Sequence, residues 1–289
     1  MTNVLELKNV SKRYEDFSLD NISFTLPKGF IMGLIGVNGA GKSTLLKIMM
    51  DIVKRDDGEI YIFGKDTRKQ MVEIKQDIGF VFDDSHYYGH LNCDQMKQII
   101  APFYHNWDEE TYQSYMKRFG LPTNKKLRTF SKGMKMQYNI AVALSHQAKL
   151  IMMDEPTAGL DPIVRRDLLH VLQEVVMNEE VSVLFSTHVT TDLEKIADYI
   201  TYIHDGNVNF SEEKDLISET YFIVKGDTAL LNEQNSAPFV HIEKSRLGFQ
   251  GLSKDKAEIR LQFGDEVVLE PANLEDIMYF TSQGHKALN

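Results

Sequence analysis

The sequence predicts an α/β protein with a parallel sheet at its core, followed by a small α+β domain. Short apolar runs at 30–35, 150–153 and 181–186 alternate with helical patterns, and alternating strands and helices form parallel sheets. The composition changes near Ser218, beyond which short strand-like runs return. We therefore divide the chain into a larger domain, residues 1–217, and a smaller one, residues 218–289.

The first thirty residues predict an antiparallel β-layer. Two strand-like runs, at 4–7 and 22–26, are separated by a polar bend at Glu15 and Asp16. Tyr14 lies beside this bend, and packing is the commonest explanation for a lone aromatic residue near a strand.

A glycine-rich loop follows the first apolar run. Residues 36–43 read Gly-Val-Asn-Gly-Ala-Gly-Lys-Ser and match G-x-x-x-x-G-K-[ST], with a helical stretch at 44–50 after them. In such loops backbone N–H groups surround phosphate oxygens, the lysine reaches the β- and γ-phosphates, and the serine holds Mg²⁺. A flexible turn would explain the glycines but not the flanking strand and helix. The predicted nucleotide-binding residues here are Gly36, Asn38, Gly39, Gly41, Lys42, Ser43 and Thr44.

An acidic pair, Asp154 and Glu155, ends the apolar run at 150–153. Asp154 would orient Mg²⁺ through its water shell, and Glu155 would polarise the attacking water. Two acids after a strand could also be a solvated turn. Their occurrence in one chain with a phosphate loop favours the catalytic interpretation, and it predicts a nucleotide triphosphatase.

The rest of the larger domain alternates between helix and strand. Residues 84–145 are polar and helical in pattern, which predicts an inserted helical subdomain. A helix at 165–177 then precedes the strand at 181–186. The runs 199–204 and 207–210 flank Asp205-Gly206 and predict a terminal hairpin.

The smaller domain predicts short strands at 221–224, 241–244 and 257–263, the last because Ile259, Leu261 and Phe263 alternate with polar residues. A final helix is expected at 274–282, with Asn273 as its cap and Asp276 as a near-match to the acidic position of a capping box. No motif in this domain carries recognisable chemistry.

Composition narrows the function. The 289 residues carry a net charge of −10, which argues against electrostatic capture of nucleic acid. The single cysteine, Cys93, excludes an internal disulfide framework and suits a reducing cytoplasm. The N-terminus lacks the apolar core of a signal peptide, and no apolar stretch reaches the length of a membrane span. We expect a cytoplasmic protein whose membrane role, if any, depends on a partner.

Three further motifs occur in a diagnostic order. Phe-Ser-Lys-Gly-Met at 130–134 precedes a helix, Asp-Glu-Pro-Thr-Ala-Gly-Leu-Asp-Pro occupies 154–162, and Ser-Thr-His at 186–188 follows the next strand. With the phosphate loop, they resemble the ATP-binding subunits of ABC transporters over about residues 4–215. The resemblance implies a P-loop NTPase cassette that hydrolyses ATP with Mg²⁺.

The resemblance also implies roles for residues outside the phosphate loop. Tyr14 would stack on adenine, and His188 would hold the γ-phosphate and the attacking water in register with Glu155. Ser131 and Gly133 would face the γ-phosphate bound by a second subunit, which Asp161 would contact. The implied partners are a second ATPase subunit, identical or different, and a separately encoded transmembrane permease that holds the chain at the inner face of the membrane.

Two departures from the family pattern refine the resemblance. Lys132 and Met134 replace the usual glycine and glutamine, a variant similar to that of bacterial ABC-2 type exporters of drugs and peptides. Leu274-Glu275-Asp276 resembles the terminal helix of exporter-type subunits, among which the chain is similar to the ATPases of exporters of the amphipathic toxins called phenol-soluble modulins. Asp83 stands where most relatives carry glutamine; it can approach Mg²⁺ or its water but cannot donate as an amide does. Tyr87 and Tyr88 would either receive a permease helix or pack within the helical subdomain.

Three alternatives stay open at this stage. The chain could be a soluble ABC ATPase acting on ribosomes or DNA, a cassette that binds nucleotide as a regulator without hydrolysis, or the ATPase subunit of an importer. No charged linker between two cassettes and no long coiled coil is present in the sequence, as the first alternative would usually require.

Overall fold

The computed structural model describes residues 2–82, 87–177, 179–232 and 235–286. The chain divides into two compact units, Met1–Ser211 and Glu212–Asn289. The sequence placed this boundary a few residues later, after residue 217.

The strands of the described residues, in chain order, are β1 (Asn3–Arg13), β2 (Ser18–Pro27), β3 (Ile31–Ile35), β4 (Asp57–Ile62), β5 (Lys65–Asp66), β6 (Ile78–Val81), β7 (Leu150–Asp154), β8 (Ser182–Thr187), β9 (Tyr199–His204), β10 (Asn207–Glu213), β11 (Phe222–Gly226), β12 (Phe239–Ser245), β13 (Gly248–Ser253) and β14 (Val268–Pro271).

The α-helices are α1 (Lys42–Met49), α2 (Thr67–Ile74), α3 (Cys93–Ile100), α4 (Glu109–Arg118), α5 (Lys132–Leu144), α6 (Pro162–Val176), α7 (Thr190–Ile196), α8 (Lys214–Thr220), α9 (Lys256–Phe263) and α10 (Leu274–Lys286). Short 3₁₀ helices occupy Lys75–Asp77, Ala101–Phe103, Leu127–Thr129 and Thr228–Leu230. Within the described part of the chain, none of these helices is both long and apolar enough to cross a bilayer.

The main sheet has the strand order β10-β9-β3-β8-β7-β6. Strand β3 pairs in parallel with β8 and β9, and β7 pairs in parallel with β8 and β6. Strands β3, β7 and β8 are buried along their whole length, which explains why they read as continuous apolar runs. The predicted α/β class with a parallel core is confirmed, and the carboxyl ends of β3, β8 and β7 lie side by side.

The predicted antiparallel layer is also present. Its strands follow the order β2-β1-β4-β5, and every neighbouring pair is antiparallel. A single apolar cluster joins this layer, helix α1 and the main sheet, through residues such as Leu5, Ile22, Leu46 and Met152. Helix α1, which begins at the end of the phosphate loop, is therefore anchored by the core of the unit.

The predicted helical subdomain consists of α3, α4 and α5. It has its own apolar cluster, which includes Met96, Tyr112, Met116 and Tyr138. The hydroxyl groups of Tyr112 and Tyr138 both donate to the carbonyl oxygen of Cys93, at 3.5 and 3.2 Å. The insertion between β6 and β7 thus has an apolar core of its own, while α5 also packs against β6.

The hairpin between β9 and β10 forms as predicted. Asp205 and Gly206 have φ angles of 44° and 72°, so both central residues of the turn are left-handed, as a type I′ turn requires. A Cβ atom at Gly206 would lie 1.8 Å from the carbonyl oxygen of Ser18, so only glycine fits this turn.

The second unit contains a four-stranded antiparallel sheet in the order β12-β13-β11-β14, together with α8, α9 and α10. The predicted strand at 257–263 is wrong, because these residues form helix α9. Ile259 and Phe263 are one helical turn apart and buried, whereas Leu261 is 80% exposed. The spacing of Ile259 and Phe263 that suggested an alternating strand thus places both residues on one face of a helix, with Leu261 on the other.

The capping prediction at the last helix is confirmed. Asp276 N donates to Asn273 Oδ1 at 2.8 Å, and Asn273 N donates to Asp276 Oδ2 at 3.3 Å, which is a reciprocal capping box. Helix α10 begins at Leu274, as the sequence indicated, and ends a few residues beyond the predicted limit.

Burial makes Cys93 chemically inert. The thiol lies in the core of the helical subdomain, and burial raises its pKa to about 12. Because the thiolate is the reactive form, we expect iodoacetamide at pH 8 to leave the folded protein unmodified over hours and to alkylate it once it is unfolded in guanidinium. Mass spectrometry measures the adduct, and Cys93→Ser is the control that should stay unmodified in both states. Rapid alkylation of the folded protein would contradict this structure of the subdomain.

Candidate active site

The phosphate loop connects the end of β3 to the start of α1. Gly41 caps α1 with a left-handed φ of 104°, and a Cβ atom there would lie 2.5 Å from Leu19 and 2.6 Å from Phe17. A Cβ atom at Gly36 would lie 2.4 Å from the carbonyl oxygen of Ile203. Both glycines are therefore required sterically, and the loop leads directly into the positive end of α1.

Lys42 is the buried cation of the site. Its ammonium donates to the carbonyl oxygens of Gly36 at 2.8 Å and of Val37 at 3.3 Å. It also lies 3.5 Å from Glu155 Oε1. The side chain is thus held along the inside of the loop, with a carboxylate at its other side.

Asp154 connects three elements through one oxygen. Its Oδ1 accepts hydrogen bonds from Ser43 Oγ at 2.9 Å and from Ser186 Oγ at 2.6 Å. These groups belong to β7, α1 and β8. Carboxylate and hydroxyl oxygens in this arrangement are ligands, direct or through water, that suit Mg²⁺.

The oxygen atoms of Ser43 and Asp154 suit a metal ion that arrives bound to a nucleotide. In the described ranges, no three His, Cys, Asp or Glu side chains are grouped closely enough to hold a metal alone. Magnesium sites of nucleotide enzymes characteristically use one or two protein oxygens and complete the shell with phosphate oxygens and water. Ser43 and Asp154 match that requirement.

Glu155 lies between a cation and an imidazole. Its Oε2 is 2.9 Å from Nδ1 of His188, and since a carboxylate only accepts, Nδ1 carries the hydrogen. The backbone of Glu155 has a left-handed φ of 47°, which is uncommon for a residue other than glycine. Its N–H donates to the carbonyl oxygen of Ser186 at 3.1 Å, which holds this conformation in place.

Lys42, Ser43, Glu155 and His188 line one cavity of about 340 Å³. A volume of this order lies at the lower end of the range for small-molecule sites. The cavity combines loop backbone, a cation, a carboxylate and an imidazole. Its lining residues are Phe17, Asn38, Gly39, Gly41, Lys42, Ser43, Thr44, Glu155, Ala158 and His188.

Sequence reasoning missed three residues of this site. Phe17 and Ala158 line the cavity, and Ser186 holds both Asp154 and the backbone of Glu155. Ser186 belonged to a recognised motif, but only the pairing of β7 with β8 reveals its contact with Asp154. Nothing local in the sequence marks Phe17, because its approach to Gly41 is a tertiary contact.

Tyr14 lies near the cavity without lining it. Its ring is 6.4 Å from that of Phe17 and nearly parallel to it, and the residue is 48% exposed. The ammonium of Lys12 lies 5.5 Å from the ring centroid. An exposed aromatic face at the rim of the cavity is compatible with base stacking, and its role stays a prediction.

The residues predicted to face a second subunit lie elsewhere in the fold. Ser131 caps α5 by accepting from Met134 N at 3.2 Å, and Asp161 caps α6 by accepting from the N–H groups of its first turn at 3.1 Å. A Cβ atom at Gly133 would lie 3.3 Å from Val164, so the starts of α5 and α6 pack together. None of these residues lines the cavity.

Asp83 and Asp84, predicted to replace the family glutamine, lie outside the described residues. The two tyrosines that follow this segment differ in their surroundings. Tyr87 packs into the helical subdomain with its ring 5.3 Å from that of Tyr138, whereas Tyr88 is 58% exposed.

The relatives found by comparison with known proteins are transport ATP-binding proteins. Residues 19–158 match the model of the ABC transporter family. The lantibiotic transport ATP-binding protein SrtF of Streptococcus pyogenes is 32% identical over 216 residues, which are 73% of this chain and 92% of the relative. The bacitracin transport ATP-binding protein BcrA of Enterococcus faecalis is 31% identical over 219 residues, covering 73% and 71%.

Two solved structures are similar to this chain. An ATP-binding subunit of an ABC transporter superposes with a TM-score of 0.66 and 27% identity, covering 74% of this chain and 91% of that one. The dimeric post-hydrolysis structure of an ATP-binding cassette with bound ADP and phosphate gives a TM-score of 0.65 and 25% identity, covering 72% and 98%.

Ser186 and Ser182 provide a matched pair of variants on one strand. Both are buried on β8, but Ser182 Oγ accepts from Gly29 N at 2.8 Å, at the opposite end of the strand from the site. We expect Ser186→Ala and Ser182→Ala each to lower the free energy of unfolding by about 1 kcal/mol. Only Ser186→Ala should lower the kcat for ATP hydrolysis, by about tenfold or more, because it releases Asp154. Equal kcat values for the two variants would remove the positioning role of Ser186.

Proposed function

This chain belongs to the ABC transporter family, and we propose that it is the ATP-hydrolysing subunit of an exporter that works as a dimer beneath a separate transmembrane permease. The observation that carries the proposal is the convergence of Lys42, Asp154, Glu155 and His188 at the carboxyl ends of β3, β7 and β8. ATP-binding cassettes of this family hydrolyse ATP to drive transport.

Nucleotide binding would begin at the phosphate loop. The N–H groups of the loop and the positive end of α1 stabilise phosphate charge, and Lys42 adds a full positive charge beside them. Ser43 and Asp154 would hold Mg²⁺, which when bound offsets charge on the β- and γ-phosphate oxygens. Tyr14 would provide the stacking surface for adenine at the rim.

Glu155 is the proposed general base. In the structure Lys42 lies 3.5 Å from its carboxylate, so the arrival of a triphosphate would compete for the ammonium and release Glu155. The carboxylate would then take a proton from a water molecule as the water oxygen attacks the γ-phosphorus. The bond between the γ-phosphorus and the β–γ bridging oxygen breaks, ADP leaves with that oxygen, and the attacking oxygen stays on the inorganic phosphate. His188 would orient the carboxylate by donating from Nδ1.

The second subunit would complete the site. Ser131, Gly133 and Asp161 cluster at the starts of α5 and α6, away from the cavity of their own chain. A head-to-tail dimer would place them against the nucleotide bound by the partner. The cassette with ADP and phosphate, to which this chain is similar, is dimeric, which supports a dimer of this chain.

Export of a peptide or drug is the proposed direction of transport. The similar proteins SrtF and BcrA are a lantibiotic and a bacitracin transport protein. The signature variant with Lys132 and Met134 resembles that of ABC-2 exporters, and amphipathic peptides such as phenol-soluble modulins are the cargo we propose. The chain would be cytoplasmic, attached to the inner face of the membrane through its permease.

Replacing the base tests the chemistry. We expect Glu155→Gln to bind ATP with Mg²⁺ but to hydrolyse it about a hundredfold or more slowly, since general-base catalysis contributes on this scale. The ATP-bound variant should accumulate as a dimer in sedimentation velocity experiments, and ADP should return it to monomer. Near-normal turnover by Glu155→Gln would reject Glu155 as the base.

Co-purification tests the partner. Affinity purification of the native chain from membranes should recover a multi-spanning membrane protein in stoichiometric amount. Recovery with ribosomes instead would favour a soluble ABC ATPase. Absence of ATP hydrolysis even with the membrane partner would favour a regulator that only binds nucleotide.

A further inference from the structure

We propose that the ion pair between Arg165 and Asp192 positions the hydrolytic site, by holding the turn that carries Asp161 at a fixed distance from the turn that carries His188. Neither residue of this α6–α7 ion pair lines the nucleotide cavity. Both are therefore positioning residues and not catalytic ones. The inference rests on the proposed function, because Asp161 meets a second subunit only in that dimer.

The α6–α7 ion pair is close and mostly buried. Arg165 Nε donates to Asp192 Oδ1 at 2.7 Å, and Arg165 Nη2 donates to Thr191 Oγ1 at 3.2 Å. The side chain of Asp192 is completely buried, while that of Arg165 is 30% exposed. The second carboxylate oxygen, Oδ2, has no hydrogen-bond partner among the described residues. The charge of Asp192 is thus compensated mainly by Arg165.

Each member lies within one turn of a site residue. Arg165 N donates to the carbonyl oxygen of Asp161 at 3.0 Å, so Arg165 closes the first turn of α6 behind its cap. Asp192 lies in the first turn of α7, four residues after His188, and its N–H donates to the carbonyl oxygen of Val189 at 3.3 Å. His188 in turn contacts Glu155.

This placement makes the two turns move together. Separating α6 from α7 would leave a fully buried carboxylate without its cation, which is strongly unfavourable. A displacement of Asp161 by a partner subunit would therefore also displace the start of α7, and with it His188 and Glu155. The α6–α7 ion pair would in this way make hydrolysis depend on contact with the second subunit.

The surroundings decide which variants are informative. Arg166 and Lys195 line the same cavity of about 710 Å³ as Arg165 and could partly replace its charge. Removing Arg165 alone would also leave Asp192 buried and charged. Asp192→Asn avoids both problems, because it removes the buried charge that opposes separation of α6 from α7 and leaves a guanidinium that water can reach. The neutral amide can keep one hydrogen bond to Arg165, but it no longer needs a cation.

The experiment measures kcat and KM for ATP in the purified full-length chain. We expect Asp192→Asn to lower kcat about tenfold or more, as small displacements of catalytic groups do, with the KM for ATP within about twofold of wild type. The matched control is Glu174→Gln, which breaks the ion pair of the same helix with Arg118 and should leave kcat unchanged.

A double variant separates positioning from stability. Arg165→Met with Asp192→Leu replaces the ion pair by apolar side chains of similar size, an exchange that is often neutral or stabilising. We expect it to fold with a wild-type melting temperature and to keep the low kcat. A double variant with full kcat, or an Asp192→Asn variant that turns over normally, overturns the inference.

Different results would reject the role of the α6–α7 ion pair and the proposed function. If Glu155→Gln forms an ATP-dependent dimer while Asp192→Asn turns over normally, only the role of the α6–α7 ion pair is lost. If Glu155→Gln does not dimerise with ATP, the proposed function is lost, and the role given to Asp161 is lost with it.

Discussion

The site depends on one buried carboxylate oxygen, Asp154 Oδ1, which accepts from hydroxyl groups of two other elements. The register of the main sheet creates this contact, because Asp154 pairs with Ser186, and Ser186 pairs with Leu34 at the end of β3. Side chains alternate along a strand, so a shift of one residue between β7 and β8 would turn Ser186 away from Asp154. The hydrogen bonds therefore fix Ser43, and the start of α1, to the acidic end of β7.

The left-handed backbone at Glu155 determines where the second carboxylate of the acidic pair lies. In a continuing strand, two consecutive side chains would point to opposite faces of the sheet. The φ of 47° breaks the alternation, so that Asp154 reaches Ser43 while Glu155 reaches Lys42 and His188 at the same edge. Unusual backbone angles of this kind persist where surrounding contacts hold them, and here the N–H of Glu155 is held by Ser186. Two neighbouring carboxylates thereby acquire different surroundings, and under the proposed function they would have different roles.

The sequence predicted those parts of the fold that local patterns determine. The strand, glycine loop and helix at 30–50 and the hairpin at Asp205-Gly206 follow from backbone requirements that only certain residues satisfy. The spacing of Ile259 and Phe263 led to the wrong prediction of a strand, because residues four positions apart lie on the same face of both a strand and a helix. Ser186 and Phe17 were missed because their roles come from strand register and from a long-range contact with Gly41, neither of which is encoded nearby.

Under the proposed function, the capping residues of α5 and α6 would serve both their own helices and a second subunit. The hydroxyl oxygen of Ser131 accepts from Met134 N, which satisfies α5, but a hydroxyl group also has a hydrogen to donate. That hydrogen lies at the positive end of a helix, where an anion is stabilised. Under the proposed function, the γ-phosphate of the partner would occupy this position without disturbing the cap.

Asp161 likewise caps α6 through Oδ1, while the first turn of that helix is joined through Arg165 to α7. Contacts that stabilise the monomer would thus also transmit the presence of the partner to His188 and Glu155.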